Sequence, residues 1–277
     1  MSDTAVCPVC PHHCILPEGS LGRCRARVNK NGKVVSANYG KITSIALDPI
    51  EKKPLAFFHP GSMILSVGSY GCNLSCPFCQ NYDIASVGEE HFADLRTASP
   101  EKLLEIACDT IPEGNIGIAY TYNEALVGYE FVRDTAKLIH EEGMLNVLVT
   151  NGNACKEILE EILPSMDAMN IDLKCFTEDG YKKLGGELQT VMQFIETSHE
   201  KCHIEITSLI VPGLNDSPEE MEEEAEWIAS LDPEIPLHIT RYFPRYKYRE
   251  APTDIDLMRN LKTLAERHLK HVLLGNV

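Results

Sequence analysis

From Ser62 onward, short apolar runs alternate along the chain with longer amphipathic segments. This alternation is typical of parallel β-strands joined by crossover helices. Six apolar runs are predicted strands, and a last run, His271–Leu274, is a candidate edge strand; the six are Met63–Val67, Ile116–Thr121, Leu145–Thr150, Ala168–Asp172, His203–Val211 and Leu237–Arg241. Six βα units are too few for a closed eight-stranded barrel. The pattern therefore predicts an α/β fold, a partial (β/α)6 TIM-like barrel with its active site at the C-terminal ends of the strands.

Residues 1–60 have a different composition, rich in Cys, Pro and Gly. Asn31-Gly32 lies between two short apolar stretches and predicts a tight β-hairpin. We therefore expect a small Cys-rich N-terminal module over residues 1–60 and the partial barrel over 61–277. Within the barrel, Ser99-Pro100 and Ser217-Pro218 predict helix starts, since a hydroxyl cap precedes a proline at the first helical position. Gly143 is a candidate helix C-cap.

Length and charge narrow the class of protein. The 277 residues, 44% hydrophobic, are enough for one substantial core. No stretch approaches the roughly 20 apolar residues of a membrane span, and the first residues show no basic-then-apolar signal, so we expect a cytoplasmic protein without a membrane partner. The formal net charge of -16 disfavours nucleic acid as a partner. Arg241, Arg245, Lys247 and Arg249 form a local basic exception, whose simplest interpretation is a solvated face.

Eleven cysteines are hard to explain as a disulfide framework in the cytosol. Seven of them lie in two compact groups before residue 80. Cys72, Cys76 and Cys79 follow the first predicted strand, and so lie on a loop at the mouth of the predicted barrel. Three thiolates holding an iron–sulfur cubane would leave one iron open to a small molecule. A structural zinc site is the alternative, but it normally needs four ligands.

This C-x3-C-x-aromatic-C segment, with Phe78 as the aromatic, resembles the signature of the radical SAM superfamily. The resemblance implies a 4Fe-4S cluster on Cys72, Cys76 and Cys79, with S-adenosylmethionine (SAM) bound at the open iron. Reductive cleavage of SAM would then give methionine and a 5'-deoxyadenosyl radical, and the electron would come from a donor such as flavodoxin or ferredoxin. Phe78, by the same resemblance, lies near the adenine.

Polar residues at other strand ends extend the resemblance. Tyr122-Asn123-Glu124 stands where the family carries a Gly-Gly-Glu-like turn, which implies that Glu124 accepts from the methionine amino group; an ordinary helix N-cap is the alternative. Thr150-Asn151-Gly152 and Asp172-Leu173-Lys174 resemble segments of pyruvate formate-lyase activating enzymes, which implies ribose or cation contacts for Thr150 and Asp172 and a carboxylate contact for Lys174. An internal Asp–Lys ion pair is the alternative there. Val211 begins a turn that the resemblance places near the adenine.

Four further thiols, Cys7, Cys10, Cys14 and Cys24, lie within eighteen residues of the N-terminal module. The spacing predicts a possible second metal site, but zinc, a second iron–sulfur cluster and unligated thiols all remain open. Together with Asp48–Leu55, Pro60–Ser62 and Gly71–Leu74, this module resembles the AmmeMemoRadiSam-system radical SAM enzymes, often labelled pyruvate formate-lyase activating enzyme-related proteins.

Three functions follow as hypotheses. The first is a radical SAM oxidoreductase that abstracts a hydrogen atom from an unidentified small-molecule or protein substrate. The second is a glycyl-radical enzyme activase of the pyruvate formate-lyase activating type. A noncatalytic zinc-binding scaffold is a distant third, because it leaves the polar residues at the strand ends unexplained.

Overall fold

The computed structural model describes residues 4–277. In this range the strands are β1 Ala5–Val6, β2 Ile15–Leu16, β3 Arg27–Lys30, β4 Lys33–Ser36, β5 Lys41–Ile42, β6 Ser44–Pro49, β7 Met63–Gly68, β8 Arg96–Thr97, β9 Asn115–Tyr120, β10 Leu145–Thr150, β11 Ala168–Asp172, β12 His203–Ile210, β13 Leu237–Arg241 and β14 Val272–Gly275. The α-helices are α1 Tyr82–Ala85, α2 Pro100–Asp109, α3 Tyr129–Glu141, α4 Lys156–Ile162, α5 Glu178–Leu184, α6 Leu188–His199, α7 Pro218–Leu231 and α8 Ile255–Ala265.

One sheet organises the molecule, in the order β14-β13-β12-β11-β10-β9-β7-β6. Strands β7 and β9 to β14 are parallel, and β6 adds an antiparallel edge on β7. The end strands β14 and β6 do not pair with each other, so the barrel is partial. The predicted α/β fold is confirmed, and the candidate edge strand is present as β14. The sequence pattern did not predict β6.

Local signals at the helix ends are confirmed. The Ser99 hydroxyl accepts from the Lys102 amide at 3.3 Å, and the Ser217 hydroxyl accepts from the Glu220 amide at 3.1 Å. Gly143 has φ +76° directly after α3, a backbone conformation that glycine adopts without strain. These caps fix where crossover helices begin and end, and the buried faces of the helices pack on the sheet in one large core.

The predicted β-hairpin is present within residues 1–60, whereas the division of the chain at residue 60 stays a prediction and β6, from the same range, belongs to the barrel sheet. Asn31 and Gly32 have φ values of 55° and 74° between β3 and β4, which is the conformation of a tight two-residue turn. Arg27 of β3 is only 1% exposed and donates to both carboxylate oxygens of Glu130 in α3, at 2.6 and 2.8 Å. This paired geometry fixes the β3–β4 hairpin on α3. Residues 1–3 of the predicted module lie outside the described residues.

A segment of residues 50–62, here called the floor segment, joins β6 to β7 across the starts of several strands. Glu205, near the start of β12, has a fully buried side chain and accepts from the backbone amides of Ala56 and Phe57 at 2.9 and 2.8 Å. His203 and His238 also contact this carboxylate, at 3.0 and 2.6 Å. Burial raises the pKa of Glu205, but these hydrogen bonds outweigh it and lower the pKa to about 2. The floor segment therefore covers the N-terminal end of the barrel, and its backbone is held there by the Glu205 carboxylate.

In the described chain, no helix combines the length and apolar character needed to cross a membrane.

Candidate active site

A cavity of about 800 Å³ lies inside the barrel, above the floor segment. It is lined by strand-end residues and by the loop that carries the central cysteines. All the central-site residues predicted from the sequence except Val211 line it: Cys72, Cys76, Phe78, Cys79, Tyr122, Asn123, Glu124, Thr150, Asn151, Asp172 and Lys174. Residues more than 100 positions apart in the chain thus face one space.

The loop after β7 holds the three central cysteines in place through its backbone. Asn123 accepts from the Ser69 amide at 3.0 Å, and its own amide group donates to the carbonyls of Tyr70 and Gly71 at 3.2 and 3.1 Å. Gly71 has φ +92°, and a Cβ there would lie 2.5 Å from the carbonyl oxygen of Cys24. Only glycine fits such a close backbone approach. Asn123 therefore positions the loop, a role that leaves its side-chain amide occupied within the protein.

The thiols of this loop face a polar but enclosed surrounding. The Asn151 amide lies 3.6 Å from Cys72 Sγ, and the Leu74 backbone amide lies 3.4 Å from the same sulfur. Burial raises the pKa of Cys72 well above its ordinary value, raises that of Cys76 to about 11 and raises that of Cys79. Without a bound cation these thiols stay protonated at neutral pH. A metal that replaces the protons would supply the missing positive charge.

The donor set of three thiols fits an iron–sulfur cluster. Across residues 4–277, no group of three or more His, Cys, Asp or Glu side chains is arranged to hold one metal ion. The three thiols nevertheless line the same cavity. A cluster binds each thiolate at a separate iron, so its ligands need not converge on one point, and soft thiolates are the ligands that iron–sulfur clusters prefer.

Glu124 is the most enclosed acidic group of the cavity, at 3% exposure. One carboxylate oxygen accepts from the Thr150 hydroxyl at 2.8 Å and from the Leu126 amide at 3.0 Å. The other accepts from the Asn151 amide at 2.8 Å. Burial raises the pKa of Glu124, although these three donors act in the opposite direction. Glu124 is thus both the N-cap of the short 3-10 helix Ala125–Gly128, through its bond from Leu126, and a residue of the cavity wall.

Asp172 and Lys174 form an ion pair at the end of β11. Lys174 Nζ lies 2.7 Å from Asp172 Oδ2, and both side chains are mostly buried. Burial lowers the pKa of Lys174, but the charge of Asp172 raises it further, and the net shift is upward. The ammonium therefore stays charged inside the cavity, where it is available to an anionic ligand group.

Sequence reasoning gave no role to a polar network around Asp48. The Tyr122 hydroxyl donates to Asp48 Oδ2 at 2.8 Å, and the ammonium of Lys53 lies 2.9 Å from the same oxygen. Burial raises the pKa of Asp48, but Lys53, Lys52 and the Tyr122 hydroxyl together lower it below its ordinary range. Tyr122 has φ +74°, and its ring lies against Gly68, where an added Cβ would be 2.8 Å from the Tyr122 Cδ2 atom. The Asp48–Leu55 segment was noticed in the sequence only for its resemblance to a family. No chemical role was inferred for its side chains.

Of the two residues predicted to lie near the adenine, Phe78 lines the cavity and Val211 does not. Phe78 is 4% exposed, lines the cavity and packs edge-on against Tyr248 with ring centroids 6.3 Å apart. Val211 is fully buried and does not line the cavity; its amide donates to the Asn215 side chain at 2.7 Å. An adenine contact by Val211 stays a prediction.

The N-terminal thiols form a separate, mostly buried group. Cys7, Cys10 and Cys24 are buried, Cys14 is half-buried, and the Cys7 amide donates to the Cys14 carbonyl at 3.0 Å. Burial raises the pKa of Cys10 to about 12 and that of Cys24 to about 11, and neighbouring thiolates contribute. In the part of the chain that the structure describes, they are not arranged around a single metal ion. A second metal at this group stays a prediction.

Comparisons with known proteins agree with this geometry. The family model of the Radical SAM superfamily matches residues 66–228, which include the three central cysteines, Glu124 and Lys174. An uncharacterized protein of Methanocaldococcus jannaschii is 40% identical over 276 residues, covering 98% of this chain and 81% of that protein. The fold and site define an enzyme that uses SAM for radical chemistry of the oxidoreductase type.

The chain belongs to the radical SAM superfamily. Within it, the chain is related to pyruvate formate-lyase activating enzymes: that of Clostridium pasteurianum is 28% identical over 166 residues, covering 58% of this chain and 67% of the other. Two solved structures share the fold. A domain of the Bacteroides vulgatus activating enzyme matches with TM-score 0.50 at 18% identity, covering 57% of this chain and 98% of that one. SAM-bound SuiB of Streptococcus suis matches with TM-score 0.59 at 14% identity, covering 77% and 52%.

Proposed function

We propose that this protein cleaves SAM at a 4Fe-4S cluster held by Cys72, Cys76 and Cys79, and that the resulting radical abstracts a hydrogen atom from a substrate in the barrel. The observation that carries the proposal is that the three thiols share one cavity with Glu124 and Lys174. When bound, the cluster would supply the electron that breaks the sulfonium bond. The residues of this chain would bind SAM, hold its orientation and exclude water.

The two charged groups at the methionine end of SAM would meet side chains of opposite charge in the cavity. Lys174 would contact the methionine carboxylate, and Glu124 would accept from the amino group. Thr150 and Asp172 would contact the ribose, and Phe78 would pack near the adenine. Because Glu124 and Lys174 are largely shielded from water, their interactions with a bound ion are stronger than they would be at the surface.

Two versions of this function differ in the substrate, which is a small molecule in one and a glycyl-radical enzyme in the other. A small-molecule substrate would suit a barrel whose strand starts are covered by the floor segment and Glu205, and the resemblance to AmmeMemoRadiSam-system enzymes favours this version. A glycyl-radical activase is the second candidate, and the relationship to activating enzymes favours it. The unpaired ends of the sheet, at β6 and β14, would give a protein loop lateral access.

Formation of 5'-deoxyadenosine by anaerobically reconstituted, reduced protein is the test. We expect SAM-dependent formation with bound iron, and its absence in a protein that binds iron would refute the function. Stimulation by the small-molecule fraction of a cell extract would support the first version, and stimulation only by the protein fraction would support the activase. Metal analysis of Cys24→Ala, with the central cluster intact, tests the proposed second metal at the N-terminal thiols.

A further inference from the structure

A second depression, of about 220 Å³, lies beside the cysteine loop and is here called the outer basin. Its lining includes Arg23, Cys24, Arg25, Cys72, Tyr246 and Lys247. Cys72, together with Leu74 and Ala85, lines the active-site cavity as well. This wall of the cavity is therefore reached from two sides, one inside the barrel and one outside it.

The outer basin is positive in a strongly acidic protein. Arg23, Arg25 and Lys247 are exposed, whereas the whole chain has a formal net charge of -16. Arg25 lies 3.3 Å from Glu90, so its charge is partly offset. Within residues 4–277, neither Arg23 nor Lys247 makes a salt bridge; Arg23 instead donates to the Ser75 hydroxyl at 3.0 Å. These two cations remain available to an outside partner.

The basic rim is fixed to the cysteine loop. The amides of Lys247 and Tyr248 both donate to the Pro77 carbonyl, at 2.8 and 3.0 Å. The Tyr246 ring stacks on Tyr82, the first residue of α1, with centroids 4.6 Å apart and an interplanar angle of 10°. The backbone of Lys247 is therefore held on the segment between Cys76 and Cys79, and its ammonium lies 4.8 Å from the centroid of the Tyr246 ring. Lys247 belongs to the basic run Arg241, Arg245, Lys247 and Arg249, for which the sequence alone suggested only a solvated face. The structure places this member of the run beside the cysteine loop.

We propose that the outer basin is the docking surface for an acidic one-electron donor protein. The inference rests on the proposed function, in which a cluster on Cys72, Cys76 and Cys79 accepts one electron while the donor is oxidised by one electron. SAM and substrate would occupy the inner cavity, so a protein donor would approach Cys72 from outside. Repulsion by the acidic remainder of the surface and attraction at the basin would steer an acidic partner to this position.

Charge reversal tests the surface directly. Arg23→Glu combined with Lys247→Glu changes the net charge from -16 to -20, since each replacement adds two negative charges. Lys137→Glu with Lys156→Glu gives the same net charge on α3 and α4, where these lysines are 75% and 71% exposed. The first readout is the Kd of a purified acidic flavodoxin for reconstituted protein without SAM. We expect the basin variant to raise this Kd about tenfold or more at low ionic strength, and the control pair to change it little.

The second readout is 5'-deoxyadenosine formation with two electron donors. Reduced flavodoxin should support a slower rate in the basin variant, whereas reduced methyl viologen, a small mediator, should support equal rates in both variants. Equal Kd values for the two variants would overturn the docking proposal. So would an affinity of the wild-type protein for flavodoxin that does not weaken when salt is added. Absence of SAM cleavage by wild-type protein with methyl viologen would instead overturn the proposed function, because the binding measurement needs no SAM.

Discussion

Replacing Glu124 by Gln removes one negative charge from the cavity and leaves the side-chain shape nearly unchanged. A carboxylate offers about four acceptor positions. Thr150, Leu126 and Asn151 occupy three of them at 2.8 to 3.0 Å, which leaves one for a ligand ammonium. If the amide oxygen of the glutamine accepts from Thr150 and Leu126, the NH2 group of the glutamine faces the backbone amide of Asn151. The variant then loses one hydrogen bond and the charge that attracts the ammonium.

The magnitude follows from these contacts. A hydrogen bond to a charged group contributes about 1.5 to 3 kcal/mol, so the Kd for SAM should rise about 10- to 100-fold. The Asn151 amide, buried without an acceptor, should lower the free energy of unfolding by about 1 to 3 kcal/mol. Calorimetric titration of SAM into anaerobically reconstituted protein measures the first quantity, and denaturant unfolding measures the second.

Glu220→Gln is the matched control. Glu220 is also a buried carboxylate, and it accepts from the Phe176 amide at 2.5 Å, but it does not line the cavity. This variant should bind SAM as the wild type does. A Glu124→Gln protein that loses stability but keeps the wild-type Kd for SAM would refute the placement of Glu124 at the amino group and leave it a helix cap.

Three further outcomes are expected. Cys76→Ala should lose reconstituted iron and SAM cleavage, whereas Cys108→Ala, outside the cavity, should keep both; an iron-replete Cys76→Ala protein would contradict the ligand assignment. The pKa of Glu205 is lowered from 4.5 to about 2, so the stability that it contributes is present above pH 4.5 and is lost as pH falls toward 2. This amounts to about 3 kcal/mol, and Glu205→Gln should flatten the pH dependence of unfolding free energy in that window. Gly71→Ala should destabilise the protein by more than about 1 kcal/mol, and by more than Gly19→Ala, which has a similar φ of +73° but no neighbour within 4 Å; equal effects would show that backbone strain, not the contact with Cys24, dominates.

Features that depend on neighbours along the chain could be predicted from the amino-acid sequence alone. Short, nearly continuous apolar runs marked the parallel strands, because most of these strands are buried on both faces. Asn31-Gly32 specified a hairpin, and the Ser-Pro pairs specified two helix starts, because turn and cap preferences depend on local backbone geometry. The spacing of Cys72, Cys76 and Cys79 pointed to a cluster for a similar reason, since one short loop carries all three.

Contacts that join distant segments of the chain became visible only in the folded protein. Tyr122 contacts Asp48 across 74 positions, and Glu205 holds Ala56 across 149. The outer basin brings residues 23–25 of the N-terminal module next to Tyr246 and Lys247. No periodicity marks such pairs, because a hydrogen bond or ion pair across the fold leaves no repeating pattern in either segment. Strand β6 was missed for a related reason: it is a sheet edge whose place is set by pairing with β7, and its side chains alternate too weakly in burial to mark it as a strand.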